Sequence, residues 1–254
     1  MLTAAQKNRR VLWCKARRGK SFKNWVFSDE KWFYLCCKRN NEYIWVHEDA
    51  VDPDTLYVAK DKKPTKVMVW GAISHDGKSA LHMYDEEDWK QYKTKSGKTA
   101  RGITEGAYMV CLQKAFLRSV KARGYLWPEG VPDKWIFQQD GAPSHAGEKV
   151  TQQILKGCPD GVHVLACKVG NASLEKWPAN SPDLNLIENL WSYFQDKVAK
   201  ARPRTSKEFY AKLEDCWWNE SGDGVEQAYI RKLYKSMTRR LHAVVAANGD
   251  MTKY

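Results

Sequence analysis

Three carboxylates stand out because each one follows or interrupts an apolar segment. Asp140 follows an apolar run within Trp135–His145, Asp29 lies inside WVFSDEKWFYL, and Glu188 lies inside WPANSPDLNLIENLW. Carboxylates that share one site repel each other, and divalent cations relieve the repulsion. Two Mg²⁺ ions about 3.5–4 Å apart can stabilise the attacking and leaving oxygens of a phosphoryl transfer. These residues therefore indicate metal-dependent phosphoryl transfer, provided that the fold brings the three acids together.

Asp140 is predicted to lie at the end of a buried strand. The run Trp135–Phe137 is apolar and aromatic, and Gly141 and Pro143 stop it soon afterwards. A short apolar run bounded in this way is typical of a buried strand followed by a turn. A carboxylate at the tip of such a strand, facing an opening, is well placed to bind a metal ion.

Asp29 and Glu30 interrupt the predicted first strand, Trp25–Leu35, which is rich in β-forming residues. Because strand side chains alternate between two faces, only one of these acids can share the face of Phe27. A charge in the middle of an apolar strand is costly unless it is paired or binds a metal ion. Asp29 is therefore predicted to be a metal ligand, and the alternative is a charge at the rim of the strand.

Glu188 is predicted to lie on a helix that begins near Leu184. Apolar residues recur there at steps of three and four, as in an amphipathic helix: Leu184, Ile187, Trp191, Phe194 and Val198. Asp183 stands where a helix cap is expected. Glu188 flanks the apolar stripe, so we expect it to point toward the edge of the sheet.

The remaining pattern predicts an α/β fold. Strands with short links between them indicate an antiparallel portion of the sheet, and a strand–helix–strand repeat around Asp140 indicates a parallel portion. The other predicted strands are Tyr43–Val46, Val67–Ile73, Ala80–Tyr84 and Val162–Cys167, with a turn at His75–Lys78. The other predicted helices are Thr104–Arg123, Ser144–Lys156, Ser206–Trp218 and, roughly, Val225–Ala247.

The charge balance favours a polyanionic partner. The 42 Lys and Arg residues against 30 Asp and Glu residues give a formal net charge of +12. Such a surface is typical of nucleic-acid binding, although it also promotes solubility. The segment Lys90–Arg101 is predicted to be a cationic loop that contacts a nucleic-acid backbone, with a disordered solvated loop as the alternative. Its cations are Lys90, Lys93, Lys95, Lys98 and Arg101.

The first 23 residues are strongly basic and are predicted to form a short amphipathic helix that ends near Gly19. Its basic face either contacts DNA phosphates or is simply solvated, and both interpretations stay open. The seven cysteines include no C-x-x-C pair, which argues against a zinc knuckle or a disulfide framework. No apolar run approaches membrane-spanning length, so no membrane partner is expected.

Several segments resemble the catalytic domain of Tc1/mariner-type transposases, in the wider IS630–Tc1–mariner superfamily. The matching pieces follow the order of that family and extend over almost the whole chain. They are VFSDEKWF at Val26–Phe33, VMVWGAIS at Val67–Ser74, WIFQQDGAPSH at Trp135–His145, WPANSPDLNLIENLW at Trp177–Trp191 and SMTRRLHAVVAANGDMTKY at Ser236–Tyr254. The piece SPDLNLIENLW is specific to the family, so a chance match is not a serious explanation.

This resemblance implies an RNase H-like α/β fold, in which a mixed five-stranded sheet carries helices on both faces. We expect a basic helical lead-in at residues 1–22, the catalytic core at residues 23–200 and C-terminal helices packed on the core at residues 201–254. Asp29, Asp140 and Glu188 match the acidic triad of the family. The resemblance implies that they are catalytic and bind two Mg²⁺ or Mn²⁺ ions.

By the same resemblance, the expected activity is cleavage of double-stranded DNA at transposon ends and joining of the free 3′-hydroxyl to target DNA. Family members act as dimers on paired ends, which leaves a homodimer open here. The expected location is the nucleus in a eukaryotic host, and the cytoplasm or nucleoid in a prokaryotic one. A non-catalytic DNA-binding or assembly module descended from a transposase is the alternative. The presence of all three acids argues for activity.

Two features depart from the family pattern. Asp140 and Glu188 are 188 − 140 = 48 positions apart, a longer spacing than usual, and we place the excess around Gly157–Lys176. Family transposases begin with paired helix-turn-helix domains, whereas the match here starts at Leu2. We therefore expect the chain to lack sequence-specific recognition of transposon ends. His145 is interpreted as structural, with orientation of the site as the alternative.

Overall fold

The computed structural model describes residues 1–35, 65–85, 88, 102–122, 125–145, 147–158, 162–165 and 176–254. The described strands form one five-stranded sheet in the order β3-β2-β1-β4-β5. They are β1 (Trp25–Tyr34), β2 (Lys66–Ile73), β3 (His82–Tyr84), β4 (Trp135–Gln138) and β5 (Val162–Leu165). Strand β2 is antiparallel to β1 and β3, whereas β4 runs parallel to β1 and β5. The sheet is therefore mixed, which confirms the expectation from the sequence.

Helices lie on both faces of this sheet. They are α1 (Ala4–Ala16), α2 (Glu105–Cys111), α3 (Arg118–Lys121), α4 (Glu148–Gly157), α5 (Leu186–Lys200), α6 (Ser206–Trp218) and α7 (Gln227–Ala246). A π-helical stretch, Leu112–Leu117, joins α2 to α3, and a 3₁₀ turn, Pro182–Leu184, precedes α5. None of the described helices is both long enough and apolar enough to cross a membrane.

The alternation of side chains along β1 separates two apolar cores. Phe27 and Phe33 pack with residues of α1, α5, α6 and α7, whereas Val26 packs with residues of α2, α3 and α4. Since successive strand residues point to opposite faces, Asp29 lies on the Phe27 side and Glu30 on the Val26 side. The two adjacent acids therefore have different surroundings.

A buried ion pair joins α1 to the turn before α5. The side chains of Arg10 and Asp183 are both fully buried, and the guanidinium donates to the two carboxylate oxygens at 2.8 and 2.6 Å. Arg10 also donates to Ser181 Oγ and to the Gly249 carbonyl, and the Thr252 hydroxyl donates to Asp183. The pair thus connects both ends of the chain to the segment that leads into α5.

This contact corrects two expectations from the sequence. Asp183 is not the cap of α5, because its carboxylate binds Arg10. Asn185 is the cap instead, and its side chain accepts a hydrogen bond from the Ile187 N–H. The basic helix α1 was expected to present its cations to DNA or to solvent, but Arg10 lies in the interior, where it pairs with an acid from another element.

Some predicted boundaries also differ from those in the structure. Strand β4 ends at Gln138, two residues before Asp140. Helix α4 begins at Glu148 and not at Ser144, because His145 closes a turn in which its N–H donates to the Ala142 carbonyl. The predicted strand Tyr43–Val46 lies outside the described residues.

Candidate active site

Asp29 lies in the middle of β1, where an indole holds one of its oxygens. Trp191 of α5 donates its Nε1–H to Asp29 Oδ2 at 3.2 Å. Gly71 lies opposite Asp29 on β2, and a Cβ at that position would be 2.9 Å from Trp191 Cη2. A glycine is therefore needed for the indole to approach the strand closely.

Glu188 lies in the first turn of α5, and the cap of that helix sets its position. The Asn185 side chain accepts from the Ile187 N–H at 3.4 Å and donates from Nδ2 to the Ser28 carbonyl at 3.3 Å. Since Ser28 precedes Asp29, the cap holds the start of α5 against the part of β1 that carries the first acid.

Asp140 follows β4 by two residues and is held on one side by the protein. Ser28 Oγ donates to the Gln138 carbonyl at 2.9 Å, which ties β1 to the end of β4. Asp140 Oδ1 accepts from the Ala142 N–H at 2.9 Å and lies 2.6 Å from His145 Nδ1. Both contacts involve the same carboxylate oxygen.

Asp140 and Glu188 line one open cleft of about 390 Å³. Its other wall is Trp177 and the loop that precedes α5, at residues 179–182. The cleft lies beside the face of β1 that carries Asp29, since α5 packs on that face. The fold thus brings an acid from the middle of β1, an acid following β4 and an acid from α5 to one region.

The charges of these acids affect one another. Burial raises the pKa of Asp29 well above its ordinary value, and the negative charges of Glu188, Glu30 and Asp140 add to the rise. Burial also raises the pKa of Glu188, while the charge of Lys31 opposes the rise and that of Asp140 adds to it. The negative charges around Asp29 and Glu188 thus raise the pKa of both carboxyl groups, and a cation bound beside them would stabilise their ionised forms.

His145 gives Asp140 a different electrostatic setting. Burial would raise the pKa of Asp140, but the hydrogen bond and charge of His145 lower it below its ordinary value. Burial lowers the pKa of His145, yet Glu30 and Asp140 raise it to about 10. His145 Nε2 lies 3.1 Å from Glu30 Oε1, so the ring lies between two carboxylates whose charges favour its protonated form.

The donor set suits a divalent cation in its chemistry. All three side chains offer carboxylate oxygens, which Mg²⁺ and Mn²⁺ prefer, and Asp29 carries the repulsion that a cation would relieve. In the part of the chain that the structure describes, no three carboxylate, imidazole or thiol groups lie close enough to hold one ion. The acids therefore fit Mg²⁺ or Mn²⁺ in donor type and charge, without converging on one point.

The other predicted site residues, Lys90, Lys93, Lys95, Lys98 and Arg101, lie outside the described residues. Four residues next to the acids were not recognised as functional from the sequence: Glu30, Trp191, Asn185 and Lys31. Glu30 could have been found, since it is adjacent to Asp29 and alternation sends it to the other face of the strand. The others depend on contacts between distant segments.

The mixed sheet thus carries one acid on its central strand β1, one acid after the neighbouring strand β4 and one acid on the packed helix α5. A family model described as "DDE superfamily endonuclease" matches residues 24–210. The chain therefore belongs to the DDE superfamily endonucleases, and the curated relatives that it resembles are transposases of Tc1 type. The Tc1 transposase of Caenorhabditis elegans is 29% identical over 262 residues, which cover 98% of this chain and 79% of that protein.

Solved structures agree on the fold. The Mos1 strand transfer complex has a TM-score of 0.69 and 17% identity, and the match covers 100% of this chain and 64% of that one. The chain thus spans less than two thirds of the protein in that complex. The Mos1 transposase catalytic domain, in a structure with Mn, has a TM-score of 0.61 and 17% identity, covering 100% of this chain and 99% of that one. The RNase H-like architecture expected from the sequence is confirmed.

Proposed function

We propose that the chain is a metal-dependent DNA transposase, which cleaves DNA at transposon ends and joins the 3′-hydroxyl to target DNA. The observation that carries this proposal is that Asp140 and Glu188 line one open cleft beside the face of β1 that carries Asp29; the charges of both acids contribute to the raised pKa of Asp29. Three acids from separate elements influence one another beside an open cleft. Membership in the DDE superfamily supports the same function.

Asp29, Asp140 and Glu188 would hold two Mg²⁺ or Mn²⁺ ions, and the Mos1 catalytic domain has a structure with Mn. Bound there, the ions would generate a nucleophile and stabilise charge on the attacking and leaving oxygens. Within the described residues, the two hydrogen bonds to the Asp140 carboxylate both end on Oδ1, which leaves Oδ2 for a ligand. Trp191 holds Asp29 in a similar way through Oδ2.

Both proposed reactions are phosphoryl transfers whose atoms balance without a further reactant. In cleavage, a water oxygen bonds to the scissile phosphorus, the P–O3′ bond breaks, and a proton passes to the leaving 3′-oxygen. In joining, that 3′-hydroxyl oxygen bonds to a target phosphorus and displaces the 3′-oxygen of the target strand, which takes up a proton. The cleft is open, so Asp140 and Glu188 can meet a phosphate that arrives from solvent.

Helix α7 offers a surface for the DNA backbone. It contains no Asp or Glu, and one exposed stripe of it carries Arg231, Lys232, Lys235, Arg239 and His242. At 1.5 Å per residue the stripe is about 16 Å long. An elongated cationic surface of this kind suits sequence-independent contact with phosphates.

Neutralising two cations of this stripe should weaken the salt dependence of DNA binding. We expect Lys235→Gln with Arg239→Gln to reduce the slope of log K against log salt by about 2, because each lost phosphate contact removes about 0.9. Fluorescence anisotropy with a labelled duplex at several salt concentrations measures this slope. Lys207→Gln with Lys212→Gln on α6 is the matched control, since Lys212 is already paired with Asp215. Equal effects of the two double variants would exclude α7 as the interface.

The proposed activity is tested on a labelled DNA duplex with Mg²⁺ or Mn²⁺, and with EDTA as control. Nicking and 3′-end joining that require the metal would establish the function. Salt-sensitive DNA binding without cleavage, under every metal condition, would favour the non-catalytic module instead.

We further propose that the chain acts as a homodimer on double-stranded transposon-end DNA and target DNA. Its proposed place of action is the nucleus in a eukaryotic host, and the cytoplasm or nucleoid in a prokaryotic one.

A further inference from the structure

Behind Asp140 lies a line of three hydrogen-bonded side chains. His145 Nδ1 is 2.6 Å from Asp140 Oδ1, and His145 Nε2 is 3.1 Å from Glu30 Oε1. The side chains of His145 and Glu30 are 4% and 9% exposed, whereas that of Asp140 is 47% exposed. The line therefore runs from the interior, at Glu30, to the cleft, at Asp140.

The imidazole has little freedom to turn. Its ring lies against the Tyr108 ring, with 3.9 Å between the centroids. The His145 carbonyl accepts from Gln139 Nε2, and Gln139 Oε1 accepts from the Tyr108 hydroxyl. The ring, the backbone and the far nitrogen of His145 are thus each held by a different group.

Glu30 takes part because of the alternation along β1. Asp29 points to the α5 side of the sheet, and its neighbour Glu30 points to the α2 side, where His145 lies. Asp29 is therefore itself a proposed metal ligand, and the adjacent Glu30 holds the histidine that contacts Asp140, another proposed ligand. A carboxylate as well buried as that of Glu30 is normally paired. Its partner here is the His145 ring, which also contacts Asp140.

We propose that Glu30 and His145 are positioning residues, which fix the Asp140 carboxylate so that Oδ2 faces a divalent cation in the cleft. This inference rests on the proposed function, because it requires Asp140 to be a metal ligand. Two donors on Oδ1, from Ala142 and His145, set the rotation of the carboxylate. Glu30 holds the ring in the orientation that makes the second donor available. Neither residue touches the DNA in this scheme.

Mn²⁺ binding to the full chain tests the inference without any need for activity. Free Mn²⁺ is measured by electron paramagnetic resonance during a titration, and the fold of each variant is checked by circular dichroism. We expect His145→Ala to weaken Mn²⁺ binding by about 10- to 100-fold, the range typical for groups that orient metal ligands. His145→Asn, whose amide can take the place of the Nδ1 donor, should recover part of the loss. In an Asp140→Asn background, His145→Ala should cause no further loss.

The outcomes separate this inference from the proposed function. A folded His145→Ala variant could bind Mn²⁺ as tightly as the wild type while Asp140→Asn binds it more weakly. That result would overturn the positioning role but would still support the metal site. Wild-type affinity in Asp140→Asn would overturn the proposed function itself. If His145→Ala does not fold, Glu30→Ala and Glu30→Gln replace it. The Glu30→Gln variant keeps an acceptor for His145, so it should bind Mn²⁺ more tightly than the Glu30→Ala variant does. Equal Mn²⁺ affinities of these two variants would contradict the proposal.

Discussion

Replacing Asp140 with asparagine should lower metal-dependent DNA cleavage and joining by at least about 10²- to 10³-fold, the loss typical when one electrostatic stabiliser of a transition state is removed. The substitution keeps the size of the side chain and an oxygen that can accept from Ala142. It removes the negative charge that His145 faces and that a cation in the cleft would bind. Single-turnover cleavage of a labelled duplex in Mg²⁺ measures the effect.

Asp133→Asn is the matched control, because Asp133 is exposed and precedes β4, whereas Asp140 follows it. It removes the same charge at the other end of the strand and should leave the rate unchanged. Comparable rates for the two variants would show that Asp140 has no special part in the chemistry. A loss of helical circular dichroism in Asp140→Asn would instead point to a structural effect.

The second large effect concerns stability. We expect Arg10→Ala to lower the free energy of unfolding by about 3–5 kcal/mol, because removing one partner of a buried pair leaves the other charge buried and unpaired. Asp183 is fully buried and would keep only weaker donors, such as the Thr252 hydroxyl. The change should be visible as a large fall in the midpoint of thermal unfolding.

Lys7→Ala provides the comparison on the same helix. Lys7 forms an ion pair with Asp250, but the two side chains are 34% and 52% exposed, and such pairs contribute about 0–1 kcal/mol. Its removal should therefore change stability little. If Arg10→Ala cost no more than Lys7→Ala, the buried pair would not be what fastens α1 to the segment that precedes α5.

Much of the fold could be predicted because it depends on local periodicity. The β-forming residues of Trp25–Leu35 identify β1, and the spacing of Ile187, Trp191 and Phe194 by four and three identifies α5, because such patterns decide which residues are buried. The parallel pairing of β4 and β5 follows from the helix α4 between them. These elements recur in the structure with shifted ends.

The supporting contacts of the site could not be predicted in this way. His145 and Glu30 are 115 positions apart, Asn185 and Ser28 are 157 apart, and Arg10 and Asp183 are 173 apart. No local pattern encodes which distant polar groups meet, because each such contact depends on how two elements pack. Asp183 illustrates the point: its position suggests a cap, and only the packing of α1 reveals its partner.

The central claim is that Asp29, Asp140 and Glu188 hold divalent cations. Its most direct test is thermal unfolding with and without Mn²⁺. When the free Mn²⁺ concentration is about 100 times the dissociation constant, a bound ion stabilises the fold by about 2.7 kcal/mol. This stabilisation corresponds to a rise in the unfolding midpoint of about 5–10 °C for a chain of this size. Because the pKa of Asp29 is raised in the metal-free fold, its ionised form costs stability at neutral pH. We therefore predict that Asp29→Asn raises the metal-free midpoint and abolishes the response to Mn²⁺. A wild-type midpoint that Mn²⁺ does not move, or an Asp29→Asn variant that keeps the full response, would contradict the account.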